Sequence, residues 1–154
     1  MRNLDRTDKR ILSELQRDGR MTNVELAKRV NLSPTPCLDR VRRLERDAVI
    51  QGYRAVLDPD KLAMGLLVFV EIVLDRTTND VFDRFAERVR ALPEVVECQM
   101  VAGGFDYLMK LRFADMKSYR AFLGKELATL PGVSQTHTYI AMEEVKRSDQ
   151  LPIL

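Results

Sequence analysis

The chain has 154 residues, of which 45% are hydrophobic and 31% charged, and its net charge at pH 7 is +2. This balance is ordinary for a folded globular protein and argues against a disordered chain. The longest apolar run, residues 66–70, is too short to span a bilayer, and the charged N-terminus lacks an apolar signal core. We therefore expect a cytoplasmic protein with no membrane partner.

The charge is divided unevenly along the chain. Residues 1–57 hold 13 Lys and Arg against 8 Asp and Glu, a net +5, whereas residues 58–154 hold 12 against 15, a net −3. A basic first part joined to an acidic remainder indicates a module that binds a polyanion, attached to one that does not. The two distant cysteines and the single histidine, His137, have neither metal-binding spacing nor the partners of a catalytic dyad. We therefore expect no catalytic residue, no metal and no other cofactor.

The first predicted elements are three helices. The first covers about residues 5–18, and the second follows Thr22, which is spaced from Glu25 as in a capping box. Asn31 tolerates the left-handed conformation that ends helices, and Pro34 suits the first position of a third helix. Two short helices joined by such a tight turn predict a helix-turn-helix motif at about residues 23–42.

The third helix carries arginines on the side that it does not bury. At about 100° per residue, one narrow stripe is predicted to be buried: Cys37, Val41, Leu44 and Ala48. The N-cap, the opposite side and its flank hold the candidate DNA contacts: Ser33, Thr35, Pro36, Asp39, Arg40, Arg42, Arg43 and Arg46. Arginine can bind phosphates or pair with guanine, so double-stranded DNA is the predicted partner. A solvated amphipathic helix is the alternative interpretation of the arginines alone.

The segment after the motif predicts a wing and a domain boundary. Residues 53–57 are typical of an extended segment, and Asp58-Pro59-Asp60 is typical of a turn. We therefore expect a DNA-binding domain at residues 1–57, a linker at 58–65 and a second domain at 66–154.

The second domain contains an internal repeat. The joint Leu92-Pro93-Glu94-Val95 recurs as Leu130-Pro131-Gly132-Val133, an offset of 130 − 92 = 38 residues. The same offset aligns a helix and its flanking strands, so the repeat predicts a βαββαβ ferredoxin-like domain and, with the helix-turn-helix, an α+β protein. Residues 66–74 are apolar at nearly every position, as in a strand buried on both faces. Because both helices are predicted to cover one face of the sheet, we expect the other face to meet a second subunit.

In their order and spacing, these motifs resemble the leucine-responsive regulatory protein / AsnC family of transcription regulators, the feast/famine regulators. The resemblance covers nearly the whole chain and includes SPTPC at 33–37, RVRRLE at 40–45, IQGY at 50–53, VAGGFDY at 101–107 and MEEVK at 142–146. It implies a regulator whose assembly or DNA binding responds to a small amino acid. It also implies homodimers that assemble further, commonly into octamers.

The resemblance further implies where the amino acid binds, at the turn between the second and third strands and at neighbouring strand ends. The matching positions here are Met100, Gly103, Gly104, Asp106, Met116, Tyr139, Ile140 and Ala141. Asp106 can accept from an α-ammonium, and the glycine N–H groups can donate to an α-carboxylate. Gly104 stands where leucine-responsive members have an acidic residue, and Ile140-Ala141 replaces two valines. Leucine, alanine, proline and other amino acids therefore all remain candidate effectors.

Two other functions are compatible with the sequence. An enzyme on the ferredoxin-like scaffold would need a nucleophile, an acid/base pair or a metal, and His137 is more typical of a half-exposed strand residue. An architectural DNA-binding protein without an effector is harder to distinguish from an effector-responsive regulator. Packing that responds to a ligand cannot be told from ligand-independent packing in a single sequence.

Overall fold

The computed structural model describes residues 4–153, which form two compact units. One unit holds residues 4–56 together with 146–153, and the other holds residues 57–145. The last residues thus differ from the expected division, which placed them in the second domain. The side chain of Gln16 accepts a hydrogen bond from the Leu151 N–H at 2.7 Å and donates one to the Leu151 carbonyl at 3.1 Å. Within the described residues, none of the helices is long and apolar enough to cross a membrane.

The first unit consists of three helices, and they lie where the capping residues predict: α1 (Arg6–Arg17), α2 (Asn23–Arg29) and α3 (Pro34–Arg46). Asp5 caps α1 by accepting from the Asp8 N–H at 2.8 Å, and Thr22 caps α2 by accepting from the Glu25 N–H at 3.2 Å. The core between the helices holds six buried residues: Ile11, Leu26, Ala27, Val30, Cys37 and Leu44.

The turn between α2 and α3 confirms the helix-turn-helix prediction. Asn31 has a φ of 58°, the left-handed conformation expected of it, and the Leu32 N–H donates to the Ala27 carbonyl at 2.9 Å. Ser33 is the N-cap of α3, although its side chain forms no capping hydrogen bond. The Asn23 side chain instead donates to the Pro34 carbonyl at 2.8 Å, and this bond ties the two helices of the motif together.

The segment that follows the motif carries no paired strand over residues 51–58. Tyr53 nevertheless anchors it to the helices, because its hydroxyl donates to Glu45 Oε1 at 3.0 Å. Its ring also lies against Gly19, where an added Cβ would come within 3.2 Å of a ring carbon. Burial and the Glu45 carboxylate raise the pKa of Tyr53 to about 12, so the hydroxyl remains a donor at neutral pH.

The second unit has the predicted βαββαβ order. Its elements are β1 (Leu66–Leu74), α4 (Asn79–Arg90), β2 (Val95–Met100), β3 (Tyr107–Phe113), α5 (Met116–Lys125), a short 3-10 turn (Leu127–Thr129) and β4 (Val133–Ile140). The sheet order is β2-β3-β1-β4, and every neighbouring pair is antiparallel. The ferredoxin-like fold and the α+β class are therefore confirmed.

The two faces of this sheet differ in what covers them. Alternate β1 residues, Val68, Val70 and Ile72, are fully buried in a core shared with Phe85 of α4 and with Phe122 of α5. We call the opposite side the open face. It carries Leu67, Phe69, Glu71 and Val73 of β1, with Leu108 and Lys110 of β3 and His137 and Tyr139 of β4 in register beside them. Phe69, Glu71 and Val73 are only half-buried, so no helix covers this second face of β1.

Candidate nucleic-acid interface and effector site

Six of the eight predicted DNA contacts are exposed, and four of them share one side of α3. Thr35, Asp39, Arg42 and Arg46 follow one another at spacings of four, three and four residues, which places them on one helix face. We call this set the reading face. Among the described residues, Arg42 and Arg46 form no ion pair, so the structure leaves their guanidinium groups available for a ligand. The remaining exposed positions, Ser33 and Pro36, lie at the start of the same helix.

The other two predicted contacts, Arg40 and Arg43, are held by the first turn of α1. Arg43 donates to both carboxylate oxygens of Asp8, at 2.6 and 2.7 Å. Arg40 donates to Asp8 at 2.8 Å and to Asp5 at 2.6 Å. These hydrogen bonds raise the pKa of Arg40 and lower that of Asp5. Asp8 is only 3% exposed and is the one buried charged residue of the described chain.

The expectation that Arg43 lies opposite the buried stripe is therefore wrong, because the stripe itself lies elsewhere. Cys37 and Leu44 are buried, but Val41 is only half-buried. Ala48 is exposed and lies beyond the end of α3 with a φ of 53°. The buried side is thus centred away from Val41, and Arg43 moves to the edge that faces α1. Asp8 could have been found in the sequence, because it lies on the same helix face as Ile11 and Leu15.

The predicted effector residues form two separate sets, the first at the turn between β2 and β3. Met100, Gly103 and Gly104 are exposed there, and Asp106 is half-buried. One Asp106 carboxylate oxygen accepts from the Leu74 N–H at 2.7 Å, and the Asp106 N–H donates to the Ile72 carbonyl at 2.8 Å. Asp106 thus braces the turn against the end of β1 while its second carboxylate oxygen has no hydrogen bond within the described chain.

The second set, Met116, Tyr139, Ile140 and Ala141, lies at the opposite end of the sheet. Ile140 pairs with Val68, and the Ala141 N–H donates to the Leu67 carbonyl at 3.0 Å. Four residue steps along β1, from Val68 to Ile72, separate the two sets, a distance of roughly 13 Å at the usual rise of a strand. Tyr139 is on the open face, where its hydroxyl donates to Glu71 at 3.2 Å, whereas Ile140 is on the helix-covered face. One chain therefore does not bring the eight residues into a single pocket.

Comparison with known proteins identifies the family. Residues 67–151 match the family model described as the Lrp/AsnC ligand binding domain, and residues 4–51 match a winged helix-turn-helix DNA-binding model. The chain belongs to the Lrp/AsnC family of transcription regulators. Its DNA-binding match covers α1 to α3, and its ligand-binding match covers the ferredoxin-like sheet from the second residue of β1 onward.

Transcription regulators from several bacteria are similar to the chain over nearly its full length. The leucine-responsive regulatory proteins of Escherichia coli K12 and Klebsiella pneumoniae are each 59% identical over 152 residues, which is 99% of this chain and 93% of theirs. A transcriptional regulator of Neisseria meningitidis, solved as a complex with L-Met, superposes with a TM-score of 0.93 at 39% identity and covers 97% of both chains. An AsnC family regulator of Agrobacterium tumefaciens has a TM-score of 0.92 at 37% identity, over 96% of both chains. These relatives are named as regulators and not as enzymes.

Proposed function

We propose that this Lrp/AsnC protein reads operator DNA with the reading face of α3, and that a small amino acid controls its assembly or its DNA binding. The observation that carries the proposal is the exposed row of Thr35, Asp39, Arg42 and Arg46, whose two guanidinium groups have no ion-pair partner within the described chain. A helix that packs by its other side and presents such a row suits the major groove. A protein that works on chromosomal DNA acts in the cytoplasm, and we propose that location.

Arg42→Ala is expected to weaken operator binding while leaving the fold intact, because Arg42 is exposed at the middle of the reading face. If Arg42 pairs with guanine, the loss should be about 1–3 kcal/mol and confined to one base-pair position. If it contacts phosphate, the loss should be equal for all sequences. Fluorescence anisotropy on a duplex selected from a randomised library measures both. Arg17→Ala is the matched control, since Arg17 is an exposed arginine of α1 paired with Glu14. Wild-type affinity in a folded Arg42→Ala protein would contradict the assignment of the reading face.

We propose that the open face is the surface through which two chains form a dimer. It carries apolar side chains on adjacent strands, Phe69, Val73 and Leu108 among them. Its polar and charged groups already have neighbours of complementary chemistry: Lys110 contacts Glu97 at 2.9 Å, and His137 lies 3.9 Å from Glu71. Burial of such a face leaves few polar groups without a partner, which keeps the cost of desolvation low.

We propose that the amino acid binds where residues of more than one subunit meet. The Asp106 turn and the Met116–Ile140 region are too far apart to hold one small molecule within a chain, so a complete site needs a second chain and, by extension, assembly of dimers into an octamer. The second oxygen of Asp106 and the exposed glycine N–H groups suit the α-ammonium and α-carboxylate of an amino acid. The complex of the Neisseria relative with L-Met supports an amino acid as the class of ligand.

Asp106→Asn is expected to weaken amino-acid binding about tenfold, because a charged hydrogen bond to the α-ammonium becomes a neutral one. The amide oxygen can still accept from the Leu74 N–H, so the turn should keep its shape. A thermal-shift screen of the twenty amino acids selects the ligand, since one that binds only the folded state raises the melting temperature. Calorimetric titration then compares Asp106→Asn with wild type and with Asp58→Asn, a carboxylate outside both sets. Undiminished affinity in Asp106→Asn would remove Asp106 from the site, and a screen without any hit would favour an architectural protein.

A further inference from the structure

The carboxylates at the start of α1 hold two of the four arginines of α3, Arg40 and Arg43. We propose that Asp5 and Asp8 are specificity-determining residues, because their carboxylates form ion pairs with Arg40 and Arg43. The paired arginines do not bind DNA phosphates, a contact that would strengthen binding to every DNA sequence alike. The inference rests on the proposed function of α3 and assigns a role to two residues that lie outside the reading face.

The geometry of the cluster favours retention of the arginines by α1. Both carboxylate oxygens of Asp8 accept from guanidinium groups, and Asp8 has almost no contact with solvent. Asp5 serves two partners at once: one oxygen caps α1, and the other accepts from Arg40 at 2.6 Å. Both carboxylates lie at the N-terminal end of α1, where the helix dipole stabilises negative charge. An ion pair whose carboxylate is buried is held more firmly than a fully exposed one, because loss of the guanidinium would leave Asp8 as an unpaired buried charge.

The position of Arg43 on α3 places its guanidinium within reach of either Asp8 or a bound DNA backbone. Arg43 is one residue, or about 100° around the helix, from Arg42 at the middle of the reading face. Its side chain is 32% exposed, so it lies at the rim between the reading face and α1. A side chain as long as arginine can reach from such a rim either to the carboxylate beside it or to a phosphate that flanks the groove.

Contacts between cationic side chains and DNA phosphates contribute to affinity without discriminating between sequences. Each phosphate that a protein neutralises releases counterions, and this term strengthens binding to every sequence equally. Arginines that are paired with Asp5 and Asp8 contribute little to it. The affinity of α3 for DNA is thereby left to the reading face, where contacts to base edges discriminate between sequences.

Asp5→Asn and Asp8→Asn test the inference in the full-length protein. Asn is as good an N-cap as Asp, so Asp5→Asn keeps the cap of α1 and removes one of the two carboxylate charges that hold Arg40, the other being that of Asp8. Asp8→Asn removes the charge shared by both arginines, and Asp5→Asn decides the question if Asp8→Asn does not fold. Glu14→Gln is the matched control, because Glu14 is an α1 carboxylate paired with Arg17 and Arg29, neither of which is on α3. Binding to a mixed-sequence duplex and to a selected operator duplex is measured over a range of salt concentrations.

The expected result is tighter binding of the mixed-sequence duplex and a smaller ratio of operator to mixed-sequence affinity. For each arginine released, the slope of log affinity against log salt should steepen by about 0.9. Glu14→Gln should leave both quantities close to wild type. Unchanged slopes in folded Asp5→Asn and Asp8→Asn would overturn the inference, as would operator binding that weakens with no gain on the mixed-sequence duplex, since the carboxylates would then only hold α3 in place. Absence of DNA binding by the wild-type protein would overturn the proposed function itself and is distinct from either of these results.

Discussion

Arg43→Ala is expected to destabilise the helix-turn-helix unit by about 3 kcal/mol, the lower end of the range for breaking a buried ion pair, because only the carboxylate of this pair is fully buried. The reason is the partner that it leaves behind. Asp8 is 3% exposed and would lose two hydrogen bonds, while Arg40 would still contact one of its oxygens. In a unit of this size, such a loss lowers the thermal midpoint by about 12 °C or more. Calorimetry on the full chain, followed by circular dichroism, measures the change.

Arg42→Ala is the control for this prediction, because the two arginines are neighbours on the same helix and differ in their partners. Arg42 is exposed and has no ion-pair partner within the described chain, so its loss should change stability by no more than about 0.5 kcal/mol. Equal thermal midpoints for the two variants would mean that the contact between Arg43 and Asp8 contributes nothing to the folded state. The pair of variants thus separates an arginine that supports the fold from one that is free to bind DNA.

Phe69→Lys is expected to convert the assembled protein into monomers. Phe69 is at the middle of β1 on the open face, with Lys110 directly across one strand pair and Tyr139 across the other. A lysine there would bring an unpaired charge into the dimer interface beside a like charge, and the cost of desolvating it amounts to several kcal/mol. Light scattering should then report the 17.7 kDa mass of a single chain.

The control for Phe69→Lys places the same charge on the helix-covered side of the domain. Ser118 is exposed in the first turn of α5, and its backbone N–H, which a lysine keeps, donates to the capping carboxylate of Asp115. Ser118→Lys should therefore keep the mass of the wild-type assembly. A folded Phe69→Lys protein that still assembles would show that the open face is not the dimer surface.

Local and periodic features of the chain were sufficient to predict most of its architecture. Thr22, Asn31 and Pro34 act on their immediate neighbours, so their roles at the helix ends follow from residue type alone. The repeated Leu-Pro joint predicted the βαββαβ order because each copy carries the same strand and helix periods, and the sheet confirms it. Residues 53–57, predicted as a wing, form no paired strand in the structure. Pairing of a strand depends on a partner elsewhere in the chain, and the segment's own residues do not specify that partner.

The sequence by itself therefore determined where the elements lie and which family the chain resembles, whereas the tertiary structure decided which candidate site residues are free. Asp8 and Arg43 are 35 positions apart, and no helical period relates them. Their pairing depends on how α1 crosses α3, and that crossing engages two of the predicted DNA contacts, Arg40 and Arg43, in ion pairs. The arrangement of the effector residues was likewise decided by the tertiary structure. Their places in a family motif do not indicate at which end of the sheet each residue lies. Both β3 and β4 are antiparallel to β1 and therefore run in the same direction. Asp106 precedes the start of β3 and Ile140 is the last residue of β4, so the two residues lie at opposite ends of the sheet.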